Sequence, residues 1–158
     1  MIKSECEKRV ENQTARFKGV WHNQHKSILN LDVAEDGRVT GTFQPGLACA
    51  ENVREFPVVG YAENGVIGFV VAFPGFASIT SWTGQLANIS EDGYAETLHS
   101  SWHMAIDVGN KAEKQLWKAM VTGSDSFVRV PGEITTGDLK MAASHPMWLK
   151  ENLSNVYV

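Results

Sequence analysis

Hydrophobic and polar positions alternate in short segments from Gly19 onward, and turn residues separate the segments at regular intervals. Alternation with period two puts successive side chains on opposite faces of a strand. Many short strands at even spacing are the signature of an all-β sandwich or barrel. The pattern predicts strands over 19–25, 27–33, 38–44, 54–61, 65–73, 78–86, 94–106 and 116–130. Asp36-Gly37 and Asn64-Gly65 supply the positive φ that tight hairpins require. Pro45 and Gly46 break the chain after the third strand, and Pro74 and Gly75 do so after the fifth. Pro57 lacks an N–H and belongs where the ladder needs no donor. Eight sequential strands with mostly short connections close most simply as an antiparallel up-and-down barrel, whose interior can hold one small ligand.

The same pattern divides the chain. Residues 1–17 mix charge with few apolar anchors and read as an N-terminal arm, either a short helix or a mobile tail. Residues 18–131 make the barrel. Residues 132–158 form a C-terminal extension with a helix-capable run over 136–144 and an apolar cluster of Met147, Trp148 and Leu149. That tail either packs loosely outside the barrel or docks into a neighbour's binding mouth.

Several predicted strands place a polar group on the same face as an aromatic or aliphatic one. Trp21 shares a face with Asn23, Ser27 with Leu29, Ser78 and Thr80 with Trp82, and Asp125 with Phe127. A buried amide is costly unless something bonds to it, and an isolated buried carboxylate is far more so. Each signal has an ordinary explanation: core packing for a tryptophan, a bonded backbone neighbour for Asn23, a bulge at Asp125 beside Gly123. Their agreement in parity points further, to aromatic walls with a few placed polar groups, the usual make-up of a small-molecule pocket.

Composition narrows the alternatives. With 158 residues, 43% hydrophobic and 20% charged, the chain is a single globular domain with a substantial core. A net charge of −4 without a basic stripe argues against a nucleic-acid partner. No apolar run approaches the roughly 20 residues of a membrane helix. The charged N-terminus lacks the apolar centre of a signal peptide, so the chain as written reads as cytoplasmic. Cys6 and Cys49 form neither a disulfide framework nor a metal motif, leaving one bridge or two free thiols open. His99 and His103 are separated by about 13 Å along a strand and do not make a zinc pair. No nucleophile elbow, metalloprotease motif or phosphate loop is present, so an enzyme is not expected and no cofactor is called for.

Four ordered motifs then carry a resemblance. Gly19-Val-Trp-His-Asn23 with Ser27, Asp36-Gly37 with Thr40-Gly-Thr-Phe43, Ser78-Ile-Thr80-Ser-Trp82-Thr-Gly-Gln85, and Trp102 followed by Trp117 and Gly123-Ser-Asp125-Ser-Phe127 together resemble avidin and streptavidin over residues 19–130. The resemblance implies an eight-stranded barrel that binds biotin at one open end, assembled as a homodimer or homotetramer and often secreted. It implies that Asn23 and Ser27 hold the ureido oxygen and Asp125 a ureido N–H. It places Thr80 near the thioether sulfur, Ser78 near the valeryl carboxylate, and Phe73, Trp82 and Trp102 in the aromatic box. Cys49 and Ala50 fall in the ligand-side loop, and Trp117 matches a tryptophan that reaches a neighbouring subunit's site. Trp21 is assigned to packing at the closed end.

Two positions depart from that pattern. Phe43 stands where the family has a tyrosine hydroxyl, and Pro45 where it has a serine or an equivalent acceptor. The expectation is biotin binding weaker than streptavidin's. The alternatives are an avidin fold that binds another small molecule or peptide, or an assembly scaffold. The loop over 74–77 is shorter than in most relatives, which opens the carboxylate end.

Overall fold

The computed structural model describes residues 13–46, 54–87, 96–109 and 119–130. Eight strands follow one another: β1 (Gly19–Asn23), β2 (Ile28–Val33), β3 (Arg38–Gln44), β4 (Phe56–Glu63), β5 (Val66–Phe73), β6 (Ser78–Ala87), β7 (Thr97–Ile106) and β8 (Met120–Arg129). Each pairs antiparallel with the next. β1 also pairs with β8, with Trp21 opposite Arg129 and Asn23 opposite Phe127, so the sheet closes on itself. The result is the all-β up-and-down barrel that the alternation predicts. The expected strand ends over 94–95 and 116–118, and the extension over 132–158, lie outside the described residues.

Inward positions obey the parity read from the sequence. Trp21, Leu29, Leu31, Val39, Phe43, Val58, Ile67, Phe69, Val71, Trp82, Leu98 and Phe127 form one continuous buried core. Phe69 stacks on Trp82, its direct partner on the neighbouring strand, with ring centroids 5.1 Å apart and 12° between planes.

Two strand boundaries differ from expectation for identifiable reasons. β1 stops at Asn23 instead of running to residue 25. The Asn23 N–H bonds to the Ser27 carbonyl at 3.1 Å, the Lys26 N–H bonds to the Asn23 carbonyl at 3.0 Å, and Lys26 takes φ 64°. A side chain that bonds its own following backbone competes with the strand and makes a turn. β4 runs to Glu63 instead of stopping at 61, because Ala62 and Glu63 pair with Ile67 and Val66. Pro57 sits opposite Thr42, and the ladder to β5 begins only at Val58, so on that side no donor is missing.

One end of the barrel is plugged. A short 3-10 helix, Thr14–Phe17, lies across it, and the Phe17 ring is fully buried. By sequence Phe17 belongs to the arm over 1–17, because its neighbours are charged and show no period. The Trp21 Nε1–H donates to the Phe17 carbonyl at 2.9 Å, and the Arg129 guanidinium lies 4.2 Å over the Trp21 ring. Glu96 pairs with both Arg16 and Arg129, the latter at 2.7 Å, while Arg129 also donates to the Lys18 carbonyl. Trp21 is therefore packing at the closed end, as expected.

Candidate ligand-binding site

The opposite end of the barrel opens into a cavity of about 480 Å3. Parity alone brings most of its walls together. β1 and the following turn contribute Asn23 and Ser27, β3 contributes Phe43, β6 contributes Ser78, Thr80 and Trp82, β7 contributes Trp102, and β8 contributes Asp125. Phe73 closes β5 and Pro45 follows β3, both on the wall. Of the residues singled out in the sequence, Cys49, Ala50 and Trp117 lie outside the described residues.

Asn23 is a fixed donor. Its Oδ1 accepts the N–H of His25 at 3.0 Å and of Ser27 at 2.9 Å, which orients the amide and leaves Nδ2 for the cavity. Ser27 is arranged likewise. Its Oγ accepts the Gly46 N–H at 3.2 Å, so its own hydrogen is free to point elsewhere. Gly46 is required for this approach: a Cβ there would lie 2.0 Å from the His25 carbonyl oxygen and 2.4 Å from the Lys26 carbonyl carbon. Asn23 and Ser27, both buried, thus offer hydrogen-bond donors to the same cavity.

Asp125 is the acceptor beside them. It is 5% exposed, and a buried carboxylate persists only with donors around it. Trp82 Nε1–H donates to its Oδ2 at 2.8 Å, and Gln24 Nε2–H donates to its Oδ1 at 3.2 Å. Gln24 is itself pinned, donating to the Ser124 carbonyl at 3.1 Å and accepting the Ser126 N–H at 3.1 Å. Ser100 Oγ–H donates to the Asp125 backbone carbonyl at 3.0 Å and fixes the strand beneath it. His25 Nε2 stands 3.9 Å from Oδ1 at the cavity mouth. These donors leave lone pairs on the carboxylate for a further N–H.

Thr80 Oγ1 is buried without a hydrogen-bond partner. A native structure seldom leaves such a hydroxyl unpaired away from a functional site. Trp102 is held by a missing side chain: a Cβ on Gly123, its partner across β7 and β8, would sit 2.3 Å from the indole. Phe43 tilts against Trp82 at 5.2 Å and meets Phe73 edge-on at 6.1 Å, so the hydroxyl-free ring serves as wall.

Several residues that line the cavity or support Asp125 are not marked by the alternation. Gln24 has outward parity, and only the turn after Asn23 carries it over β8. Phe56 has inward parity on β4, which was a usable signal. Phe76 sits in the loop after β5 and carries no periodicity. Arg54 opens the strand expected over 54–61 and shares the parity of Phe56, but β4 begins only at Phe56 and Arg54 sits just before it. His25 and Met104 complete the mouth. Behind the site, His22 faces outward from β1 with its Nδ1 buried and unpartnered. Burial lowers its pKa below 6.5, and the nearby Asn23 backbone opposes this only partly.

Among the described residues no group of three or more His, Cys, Asp or Glu side chains is placed to hold a metal ion. No helix there is long and apolar enough to cross a membrane.

Compared with known protein families, residues 11–130 match the Avidin family. Among solved structures, the crystal structure of xenavidin aligns with a TM-score of 0.62 at 30% sequence identity, covering 75% of this chain and 100% of that one. The X-ray structure of a biotin-binding protein from chicken aligns with a TM-score of 0.62 at 24% identity, over 75% of this chain and 98% of that one. The second likeness is one of fold.

Proposed function

This chain belongs to the avidin family, and on that premise we propose that it binds biotin, without catalysis, in the open end of its barrel. The observation that supports this most is the fixed pair of donors, Asn23 Nδ2 and Ser27 Oγ–H, beside the buried acceptor Asp125. A cyclic urea offers the complement: one carbonyl oxygen for the two donors and a ring N–H for the carboxylate. Thr80 meets the sulfur-bearing ring, Ser78 stands toward the acid-bearing chain, and Phe73, Trp82 and Trp102 cover the apolar faces.

Affinity falls below that of streptavidin in this reading. Phe43 offers no third donor to the ureido oxygen, and Pro45 offers no side-chain acceptor to the second ureido N–H. Each absent bond in a dry pocket costs on the order of 1–3 kcal/mol, against a family that starts near the ceiling of non-covalent affinity. Titration calorimetry with biotin tests the proposal. The expected result is a saturable exothermic isotherm with one site per chain and a raised melting temperature. Neither heat nor thermal shift at millimolar biotin overturns it and favours another small ligand for the same cavity.

The barrel is further proposed to work as a homodimer or homotetramer, with Trp117 reaching a neighbouring site. Exposed apolar side chains on the outer face of β4 and β5 support this: Val59 pairs beside Val70, and Tyr61 beside Gly68. Contiguous apolar surface of that kind marks association sites. Light scattering of the purified full chain reads the mass directly, and a monomer at micromolar concentration sinks the idea.

A further inference from the structure

We infer that Arg54 makes the cavity mouth selective for a ligand that ends in an anion. This rests on the biotin reading and adds to it the recognition of the ligand's outer end by charge. Arg54 lines the same cavity as Asn23 and Asp125, at the rim formed with Phe56, Phe73, Phe76 and Ser78. Its guanidinium carbon lies 5.4 Å from the Phe56 ring centroid and 5.8 Å from that of Phe76. The two rings meet edge to face at 6.5 Å, so the cation is held in an aromatic corner instead of sweeping through solvent. A guanidinium over a ring face is attracted by the ring quadrupole, and it keeps its N–H edges available in the ring-parallel plane.

Among the described residues Arg54 makes no ion pair. Among the same residues Arg16, Lys18, Arg38 and Arg129 are each ion-paired with Asp or Glu. The carboxylate of the site, Asp125, is engaged by Trp82 and Gln24 at the base. The cavity therefore has a polar base that reads a urea-like ring, an aromatic middle, and a positive rim with no ion-pair partner among the described residues. A ligand that fills base and middle with its ring delivers its chain to that rim beside Ser78. A carboxylate on that chain gains a charge-assisted contact; a carboxamide of the same length does not.

The test compares biotin with biotin carboxamide by calorimetry on the wild-type chain and on Arg54→Met and Arg54→Lys, at low and high salt. Arg54 is exposed, so the variants keep the fold, which a thermal melt of each verifies. In the wild type, the acid binds about three- to fivefold tighter than the amide at low salt, in the range of a partly exposed charge pair. High salt narrows the gap. Arg54→Met brings the two ligands within twofold by weakening the acid alone, and Arg54→Lys keeps part of the preference. Equal wild-type affinities, or a preference that survives in Arg54→Met, overturns this inference and leaves biotin binding standing. If the wild type binds neither ligand, the biotin reading falls and this inference falls with it.

Discussion

The indole N–H of Trp82 donates to the Asp125 carboxylate at 2.8 Å, across 43 residues of sequence. One side chain thus serves two ends, a ring stacked on Phe69 and a donor that stabilises a buried charge. Trp82→Phe keeps the aromatic surface and removes the donor. Hydrogen bonds to charged groups contribute about 1.5–3 kcal/mol, so urea unfolding of the ligand-free variant should show a loss of that order. Biotin affinity should fall with it. An unchanged unfolding midpoint shows that Gln24 alone suffices for Asp125.

Asn23 separates architecture from recognition. Its Oδ1 builds the turn by accepting two N–H groups, and its Nδ2 faces the cavity. Asn23→Asp keeps the acceptor and replaces the donor by a second acceptor. Asn23→Ala removes both. Biotin binding is expected to be lost in both variants. Stability should fall by about 1–2 kcal/mol in Asn23→Ala, the cost of unpairing buried N–H groups. Asn23→Asp puts a second buried carboxyl in the cavity that holds Asp125, so its stability should fall at neutral pH and recover in acid, where that carboxyl is protonated. An Asn23→Ala variant as stable as the wild type shows that the turn does not depend on Oδ1.

Phe43→Tyr adds a hydroxyl to a ring that already lines the cavity. With the ureido oxygen as its target, the gain is about 1–2 kcal/mol, roughly five- to thirtyfold in Kd. Competition binding with labelled biotin measures it. Unchanged or weaker binding places the ureido oxygen away from this ring.

Two groups set separate pH windows. His22 has its native pKa lowered from 6.5 by burial. The unfolded chain therefore takes up its proton first as pH falls. Its contribution to stability is full above pH 6.5 and is lost as pH drops through the lower native value. Glu96 is partly desolvated, which raises its pKa, but Arg16 and Arg129 outweigh this and the net value lies below 4.5. Its contribution is full above 4.5 and fades only in stronger acid. Melting temperature between pH 7.5 and 5 should decline in the wild type and stay flatter in His22→Val. Parallel curves for the two proteins contradict the assignment to His22.

Much of the barrel was legible in the sequence because it rests on period two. Parity placed Asn23, Ser27, Phe43, Thr80, Trp82, Trp102 and Asp125 on inward faces, and the barrel's closure then brought them together. Parity says nothing where the chain leaves a strand. Gln24 has the wrong parity, and the turn enforced by Asn23 carries it over Asp125. Arg54 and Phe76 lie outside the strands, and Phe17 closes the far end from a 3-10 turn. The end of β1 was misjudged for the same cause: an amide bonding its own backbone leaves no mark in the alternation.

The closed seam between β1 and β8 has a consequence for how the chain acquires its structure. Arg129 reaches back to the Lys18 carbonyl, 111 residues earlier. A contact that distant carries a large loop-closure cost, and chains dominated by such pairings fold slowly. Until the seam forms, β1 and β8 have unpaired edges, and the apolar run Val66–Phe73 has no finished core to enter. Refolding yield should therefore fall with rising protein concentration, and the hazard ends when the first strand meets the last.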